Sequence, residues 1–229
     1  MSEIRKIAYL HKGLVILMLA VAAGGSLVGI VLDYFSGMYA VEMPIMSVMF
    51  PLGILVTILL FLGMMLYSDS FDISLRCNYT RRKFVVFTNL TYFLTMLVTA
   101  YLVLGIHHLE VLGFNRFAGA SIPAAFPVLS GMVLAICFAL TSLICLFGAL
   151  YSRVGKVAFW IIWALWMIIF VGFSALVSRL EGTPYLDRFF DVLLFFFGSQ
   201  VRIALTFTGI GLIFQIVGAV LVLRQAVRS

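Results

Sequence analysis

The chain has 229 residues, of which 64% are hydrophobic and only 10% are charged, and its formal net charge is +6. The mean hydropathy is +1.20. Soluble domains are nearer half apolar and a quarter charged, so this composition excludes a soluble globular domain and predicts an all-α polytopic membrane protein. The length accommodates about six spans of roughly 20 residues with short connections.

We predict a single transmembrane domain over residues 1–229. Its six spans have the approximate bounds 13–32, 45–67, 84–106, 124–151, 157–177 and 203–223. With the first residues inside the cell, eleven of the fifteen Lys and Arg residues fall on the inner side and four on the outer side. Because cytoplasmic loops carry the excess of Lys and Arg, this count predicts a multi-pass plasma-membrane protein with cytoplasmic N- and C-termini.

Small residues recur on one face of the first and the last span. Gly25 and Gly29 are one helical turn apart in the first span, and Gly211 and Gln215 belong to a seam of small and polar residues in the last. Small residues let helix backbones approach closely, so both faces are predicted to pack against another helix. That helix could belong to this chain or to a second copy, and the sequence leaves both open.

The third span carries a polar stripe made of Thr91, Thr95 and Thr99, which are spaced four residues apart. Two interpretations stay open. The hydroxyl groups can bond to carbonyl groups of their own helix or of a neighbouring helix, which would be a packing role. They can also line a path along which a substrate moves.

Residue types that serve catalysis and metal binding are sparse. No Asp, Glu, Lys, Arg or His falls in the middle of a predicted span, and the G-x-x-x-x-G-K-[ST] nucleotide-binding motif is absent from the sequence. His107, His108 and Glu110 cluster in a predicted outer loop, where we interpret them as interfacial residues. The three cysteines are not spaced with the histidines as metal ligands would be. We therefore expect no catalytic residue, no metal and no cofactor in this chain.

Residues 178–202 form an unusual predicted outer segment. Charged residues flank a short aromatic run from Phe189 to Phe197. The run is too short to cross a bilayer and too apolar to be solvated, so it predicts a re-entrant or interfacial segment before the sixth span.

The longest polar run, Ser68 to Phe84, joins the second and third spans on the predicted cytoplasmic side. Its first residues, Ser68, Asp69 and Ser70, favour a helix start, Asn78 favours a helix end, and Thr80 can cap the third span. We predict a short amphipathic helix over residues 70–79, parallel to the membrane, with a basic cluster at 80–83 behind it. Phe71, Leu75 and Tyr79 would form an apolar stripe along this helix. Asp72 and Arg76, four residues apart with the acid first, would form an ion pair. These residues fit a partner-docking helix, and they also fit an interfacial helix held against anionic lipid by its basic cluster.

The topology and this loop resemble the membrane subunits of ATP-binding cassette (ABC) type-2 exporters. In the small permeases of that family the loop commonly has Gly, a small residue, Ser or Thr, Arg, Arg or Lys, and an aromatic residue. Here residues 78–84 read NYTRRKF. Asn78 stands where Gly is usual, and both residue types tolerate positive φ.

The resemblance implies that the loop is a coupling helix seated on a cytoplasmic ABC ATPase subunit, which would bind the ATP and Mg²⁺. It assigns to this contact Phe71, Asp72, Leu75, Arg76, Tyr79, Arg81 and Arg82. It also implies a second permease copy or a paralogue, and a re-entrant helix near the outer exit. Membrane lipids are expected as further partners, and nucleic acid is not.

The expected function is therefore that of a non-enzymatic permease subunit of a bacterial ABC exporter. Its pathway residues suit amphipathic or hydrophobic cargo, such as a peptide, a lipid or a drug. Two other functions stay open. One is a membrane binding or immunity protein that sequesters a peptide toxin without transport. The other is a membrane enzyme that uses His107, His108 and Glu110.

Overall fold

The computed structural model describes residues 11–35, 46–76, 80–118, 131–168, 172 and 184–224. Over these residues the structure is 96% helical and contains no strand, which confirms the all-α class. The helices are, in chain order, α1 Lys12–Phe35, α2 Met46–Ile58, α3 Met64–Arg76, α4 Arg81–Ala118, α5 Gly131–Val154, α6 Lys156–Met167, α7 Pro184–Phe197 and α8 Gln200–Leu223.

Five helices of the described ranges are long and apolar enough to cross a membrane. They are α1, the helix that contains α2 and α3, and then α4, α5 and α8. These helices coincide with the predicted spans one to four and six. Of the predicted fifth span, residues 157–177, the structure describes α6, which is apolar but ends at Met167, and little beyond it.

Two helices are longer than the sequence predicted. A π-helical turn, Leu59–Gly63, joins α2 to α3, so the second span continues without a break from Met46 to Arg76. The third span was predicted to end at residue 106, with an outer loop over 107–122, but α4 continues to Ala118. Its polar residues do not end the helix, because His107 has a buried partner on α2, described below.

The first two spans pack against each other through glycine. A Cβ atom on Gly25 would lie 3.0 Å from Pro51 Cβ, and one on Gly29 would lie 2.5 Å from Ser47 Cα. Because the residue numbers rise on α1 and fall on α2, the two helices are antiparallel. The small-residue face of the first span is therefore used within the chain, where it lets two backbones approach closely.

α4 lies antiparallel to the helix formed by α2 and α3. The Tyr92 hydroxyl donates a hydrogen bond to the Gly63 carbonyl at 3.2 Å. The ring centroids of Tyr67 and Phe84 are 5.2 Å apart. These contacts lie near the connection between α3 and α4, and we call this end of the molecule the hairpin end.

α5 and α8 are parallel, and both continue towards the hairpin end. A Cβ atom on Gly211 would lie 2.7 Å from Phe138 Cδ1, and one on Gly218 would lie 3.2 Å from Leu146 Cα, so the residue numbers rise together on the two helices. α5 is also parallel to α3, because Gly148 faces Tyr67 and Gly63 faces Ile144. The chain between α5 and α8 must therefore return to the opposite end.

The return begins at a tight turn between α5 and α6. Gly155, which separates the two helices, has a φ of 74°, a conformation that side-chain-bearing residues rarely adopt. α6 then packs on the π-helical turn, where the ring of Phe61 lies 5.5 Å from Phe159 and 6.5 Å from Trp166. α6 thus starts at the hairpin end and continues away from it.

Candidate functional site

The polar connection between the second and third spans is the candidate functional site, and its structure differs from the predicted one. No separate helix begins at residues 68–70, because α3 continues directly from the second span to Arg76. Tyr79 and the side chain of Arg76 lie outside the described residues. The predicted pair of Asp72 and Arg76 therefore stays a prediction.

Serine side chains explain why the helix continues. Ser68, Ser70 and Ser74 are buried, so they face neighbouring helices and do not cap a helix start. The Ser70 hydroxyl lies 3.2 Å from His11 Nε2, at the residue before α1. The Ser74 hydroxyl donates to the Phe71 carbonyl of its own helix at 2.8 Å. Ser70 and Ser74 thus have partners inside the molecule, and the helix needs no break.

The apolar stripe of the predicted docking helix packs largely within this chain. Phe71 is only 2% exposed, and its ring lies 5.3 Å from the ring of Phe84. Leu75 is half-buried against the same core. Phe71 therefore holds α3 against α4, and it does not present its ring to another protein.

The basic cluster starts α4 and connects it to the last helix. Thr80 caps α4, as predicted, because its hydroxyl accepts a hydrogen bond from Lys83 N at 3.4 Å and its carbonyl accepts one from Phe84 N at 3.0 Å. The Arg81 Nη1 atom donates to the Leu223 carbonyl at 3.2 Å, in the last turn of α8. A cation at a helix C-terminus is favourable because carbonyl groups there lack partners within the helix.

The remaining exposed side chains define the outer surface of the connection. Ile73 is 44% exposed, and four charged side chains of α3 and of the first turn of α4 are exposed as well. We call this set the hairpin surface; it consists of Asp69, Asp72, Ile73, Arg82 and Lys83. It combines an apolar residue with charges of both signs, which is a composition that suits contact with a polar protein surface.

The threonine stripe of α4 bonds to its own helix. Thr91, Thr95 and Thr99 donate to the carbonyl groups of Phe87, Thr91 and Thr95, each at 2.8 Å. All three side chains are buried. The geometry agrees with the packing interpretation of the stripe.

A buried polar cluster, which sequence reasoning missed, lies at the end opposite the hairpin. Asp33, at the end of α1, is fully buried, and its two carboxylate oxygens accept hydrogen bonds from Met46 N at 3.2 Å and Ser47 N at 3.0 Å. The carboxylate therefore caps the first turn of α2 from another helix, where the helix dipole favours a negative charge. The sequence does place Asp33, an acidic residue, at the end of an apolar span, and this position could have indicated a helix-capping role.

The same cluster holds one of the two adjacent histidines. His107 Nδ1 lies 3.0 Å from the Ser47 hydroxyl and 3.4 Å from Glu110 Oε2. His107 is fully buried while His108 is half-buried, so the two do not form one reactive pair. Within the described ranges there is no group of three residues that could hold a metal ion. The geometry joins α2 to α4.

Comparison of the chain with protein-family models, with curated proteins and with solved structures found no match.

Proposed function

We propose that this chain is the permease subunit of an ATP-driven exporter of the ABC type-2 class. It would sit in a bacterial plasma membrane, move amphipathic or hydrophobic cargo outward, and act with a second permease copy or a paralogue. A separate cytoplasmic subunit would hydrolyse the ATP. The observation that carries the proposal is the hairpin surface, which combines exposed charges and Ile73 at the end of a continuous helical hairpin.

The hairpin extends past the start of α1. His11, next to α1, pairs with Ser70, and α3 continues for six residues beyond Ser70 to Arg76. At 1.5 Å per residue these six residues extend α3 about 9 Å beyond the level of Ser70 and the start of α1. A partner on this side of the membrane would therefore meet the hairpin surface before it meets α1.

The hairpin is also connected to the rest of the molecule. Phe71 and Phe84 hold α3 against α4, and Arg81 holds the start of α4 against the end of α8. If a partner displaced the hairpin, α3, α4 and the last helix, α8, would therefore be displaced with it. Such a connection is what the coupling of ATP hydrolysis to a change in the membrane helices requires.

The helix directions favour six crossings. If the five long helices all cross, parallel α5 and α8 require one further crossing between Val154 and Gln200, and α6 starts it. The hairpin end, with Arg82 and Lys83, would then be cytoplasmic, in agreement with the excess of basic residues on that side.

Association with an ATPase tests the proposal. We expect a neighbouring reading frame to encode a protein with a G-x-x-x-x-G-K-[ST] motif, and we expect that ATPase to copurify with the permease in detergent. Ile73→Glu should reduce its retention at least tenfold, which corresponds to about 1.4 kcal/mol. The measurement is the amount of ATPase bound per permease.

The matched control is Leu112→Glu, which changes an exposed apolar residue of α4 far from the hairpin end. It should retain the ATPase as the unchanged protein does, and both variants should elute as single species. If the Ile73 variant retained as much ATPase as the unchanged protein, the hairpin surface would not be the ATPase contact. If no ATPase binds and a toxic peptide is bound without ATP, the chain is a binding or immunity protein.

A further inference from the structure

A cleft of about 450 Å³ lies between α4, α5 and α8, near the middle of α5 and in the halves of α4 and α8 nearer the hairpin end. Its walls are mostly apolar, with Val85, Leu90 and Phe93 among the α4 residues that line it. Three uncharged polar side chains, one from each helix, interrupt the apolar walls: Asn89, Thr141 and Gln215. This volume and this mixture are typical of small-molecule sites in proteins.

The polar groups of the cleft retain hydrogen-bonding capacity. Cys145 Sγ donates to Asn89 Oδ1, a bond in which the amide nitrogen of Asn89 takes no part. Thr141 is 2% exposed, and its hydroxyl has no hydrogen-bond partner among the described residues. The next residue, Ser142, instead donates to the Phe138 carbonyl at 2.8 Å. A buried hydroxyl without a partner is costly.

Aromatic rings close the cleft on the side away from the hairpin. The rings of Phe93 and Phe138 lie 6.5 Å apart in an edge-to-face arrangement, and both line the cleft. Phe138 also packs against Gly211, where any Cβ atom would lie 2.7 Å from its ring. The cleft therefore has an apolar inner end at these rings and a more polar region nearer the hairpin.

We propose that this cleft binds a neutral amphiphile with one apolar chain and a head group that carries carbonyl or hydroxyl oxygens. The chain would lie against Phe93 and Phe138, and the head group would bond to Asn89 and Gln215. Charged ligands are disfavoured because none of the described residues that line the cleft is charged. Asn89 lies six residues after Lys83, about 9 Å along α4, which is close enough to the hairpin-side membrane surface for a lipid-like molecule to enter laterally.

Photolabelling of the permease alone tests this inference, so its outcome is separate from ATPase binding. The full-length protein in phosphatidylcholine nanodiscs is exposed to a monoacylglycerol with a diazirine at the end of its chain. We expect labelling of peptides that contain Phe93 or Phe138, at least fivefold reduced by excess unlabelled monoacylglycerol. A monoacylglycerol phosphate of equal chain length should compete at least tenfold less well.

Gln215→Leu removes one polar group of the cleft without breaking the Cys145–Asn89 bond, and it should reduce the competable labelling at least threefold. The matched control, Thr57→Val on α2, should not change it, since Thr57 does not line the cleft and its hydroxyl donates to the Gly53 carbonyl of its own helix at 2.9 Å. Thermal unfolding of both variants reports whether they fold. Labelling that does not saturate, that is unchanged in Gln215→Leu, or that marks the lipid-facing residues of α1 equally would overturn the proposal. Cross-linking of the cleft to a second copy of the chain would overturn it as well.

Discussion

Gly24 and Gly29 lie in the same helix, but their surroundings differ. A Cβ atom on Gly24 would meet no atom within 4 Å, whereas one on Gly29 would lie 2.5 Å from Ser47 Cα. The sequence identified Gly29, together with Gly25, as a close-packing face, and it left open whether the neighbour belonged to the same chain. The structure assigns the face to α2, so a substitution there acts on the stability of the single chain.

Alanine substitutions at these two glycines should have opposite effects on stability. Gly29→Ala is expected to lower the free energy of unfolding by about 1–3 kcal/mol, because the added methyl group forces α1 away from α2. Gly24→Ala should leave it unchanged or raise it by up to about 1 kcal/mol, because alanine favours a helix more than glycine does. Unfolding of the purified protein in mixed micelles measures both. Equal changes in the free energy of unfolding for the two variants would contradict the close approach of α1 to α2.

Serine and histidine residues show what a sequence does not reveal at the residue scale. Ser70 was interpreted as a helix starter, and His107 as an interfacial residue. In the structure Ser70 bonds to His11, and His107 bonds to Ser47. These partners are 59 and 60 residues apart in the chain, so no local pattern indicates them.

At the scale of elements, the helix formed by α2 and α3 carries both histidine partners. Ser47 and Ser70 are 23 positions apart, which corresponds to about 34 Å of helix and is close to the hydrocarbon thickness of about 30 Å. Buried polar pairs thus hold this helix to α4 near one end and to the start of α1 near the other. The stretch between them is largely apolar, as the second span was predicted to be.

α7 has the length and the exposure of an interfacial helix. Its 14 residues correspond to about 21 Å, too short for a crossing. The aromatic residues from Phe189 to Phe197 are exposed, and the exposed charged residues Arg188 and Asp191 lie near its middle. The Arg202 side chain donates to the Phe195 carbonyl at 3.1 Å and to the Ser199 hydroxyl at 3.2 Å, so the end of α7 is fixed to the start of α8.

Spin labels on α7 test this placement. We expect a label at Phe195→Cys, in a background without other cysteines, to collide with oxygen at least twice as often as a label at Arg188→Cys, because apolar side chains partition into the membrane. A water-soluble nickel complex should show the reverse order. Power-saturation spectroscopy in liposomes gives both quantities. Equal access of the nickel complex to the two positions would place α7 in water.

At the scale of the whole molecule, the parallel packing of α5 and α8 is the constraint with the widest consequence. Glycine contacts at two levels define it, Gly211 with Phe138 and Gly218 with Leu146. Only an odd number of crossings between these helices satisfies it in a membrane. A crossing by the predicted fifth span, which begins with α6, would satisfy it.

Accessibility labelling of single cysteines tests the resulting topology. In intact cells a membrane-impermeant maleimide should label Arg116→Cys and Gln200→Cys, and it should label Asp72→Cys and Arg224→Cys only after the membrane is opened. The extent of labelling at the first two sites should exceed that at the last two at least fivefold. Labelling of Gln200→Cys only in opened cells would mean that α8 begins on the cytoplasmic side, and this result would exclude six crossings.

The sequence by itself determined the helical class and the approximate location of five long apolar helices, because these depend on composition and on runs of apolar residues. It also identified Thr80 as a helix cap and Gly25, Gly29 and Gly211 as packing positions, since both signals are local. The tertiary structure alone decided where helices end when polar residues find buried partners. In the structure the second span continues through Ser68 and Ser70, α4 continues past His107, and Phe71 is buried within this chain. The physical reason is that a buried polar or aromatic group is stabilised by whatever surrounds it, and here those surroundings come from residues distant in the sequence.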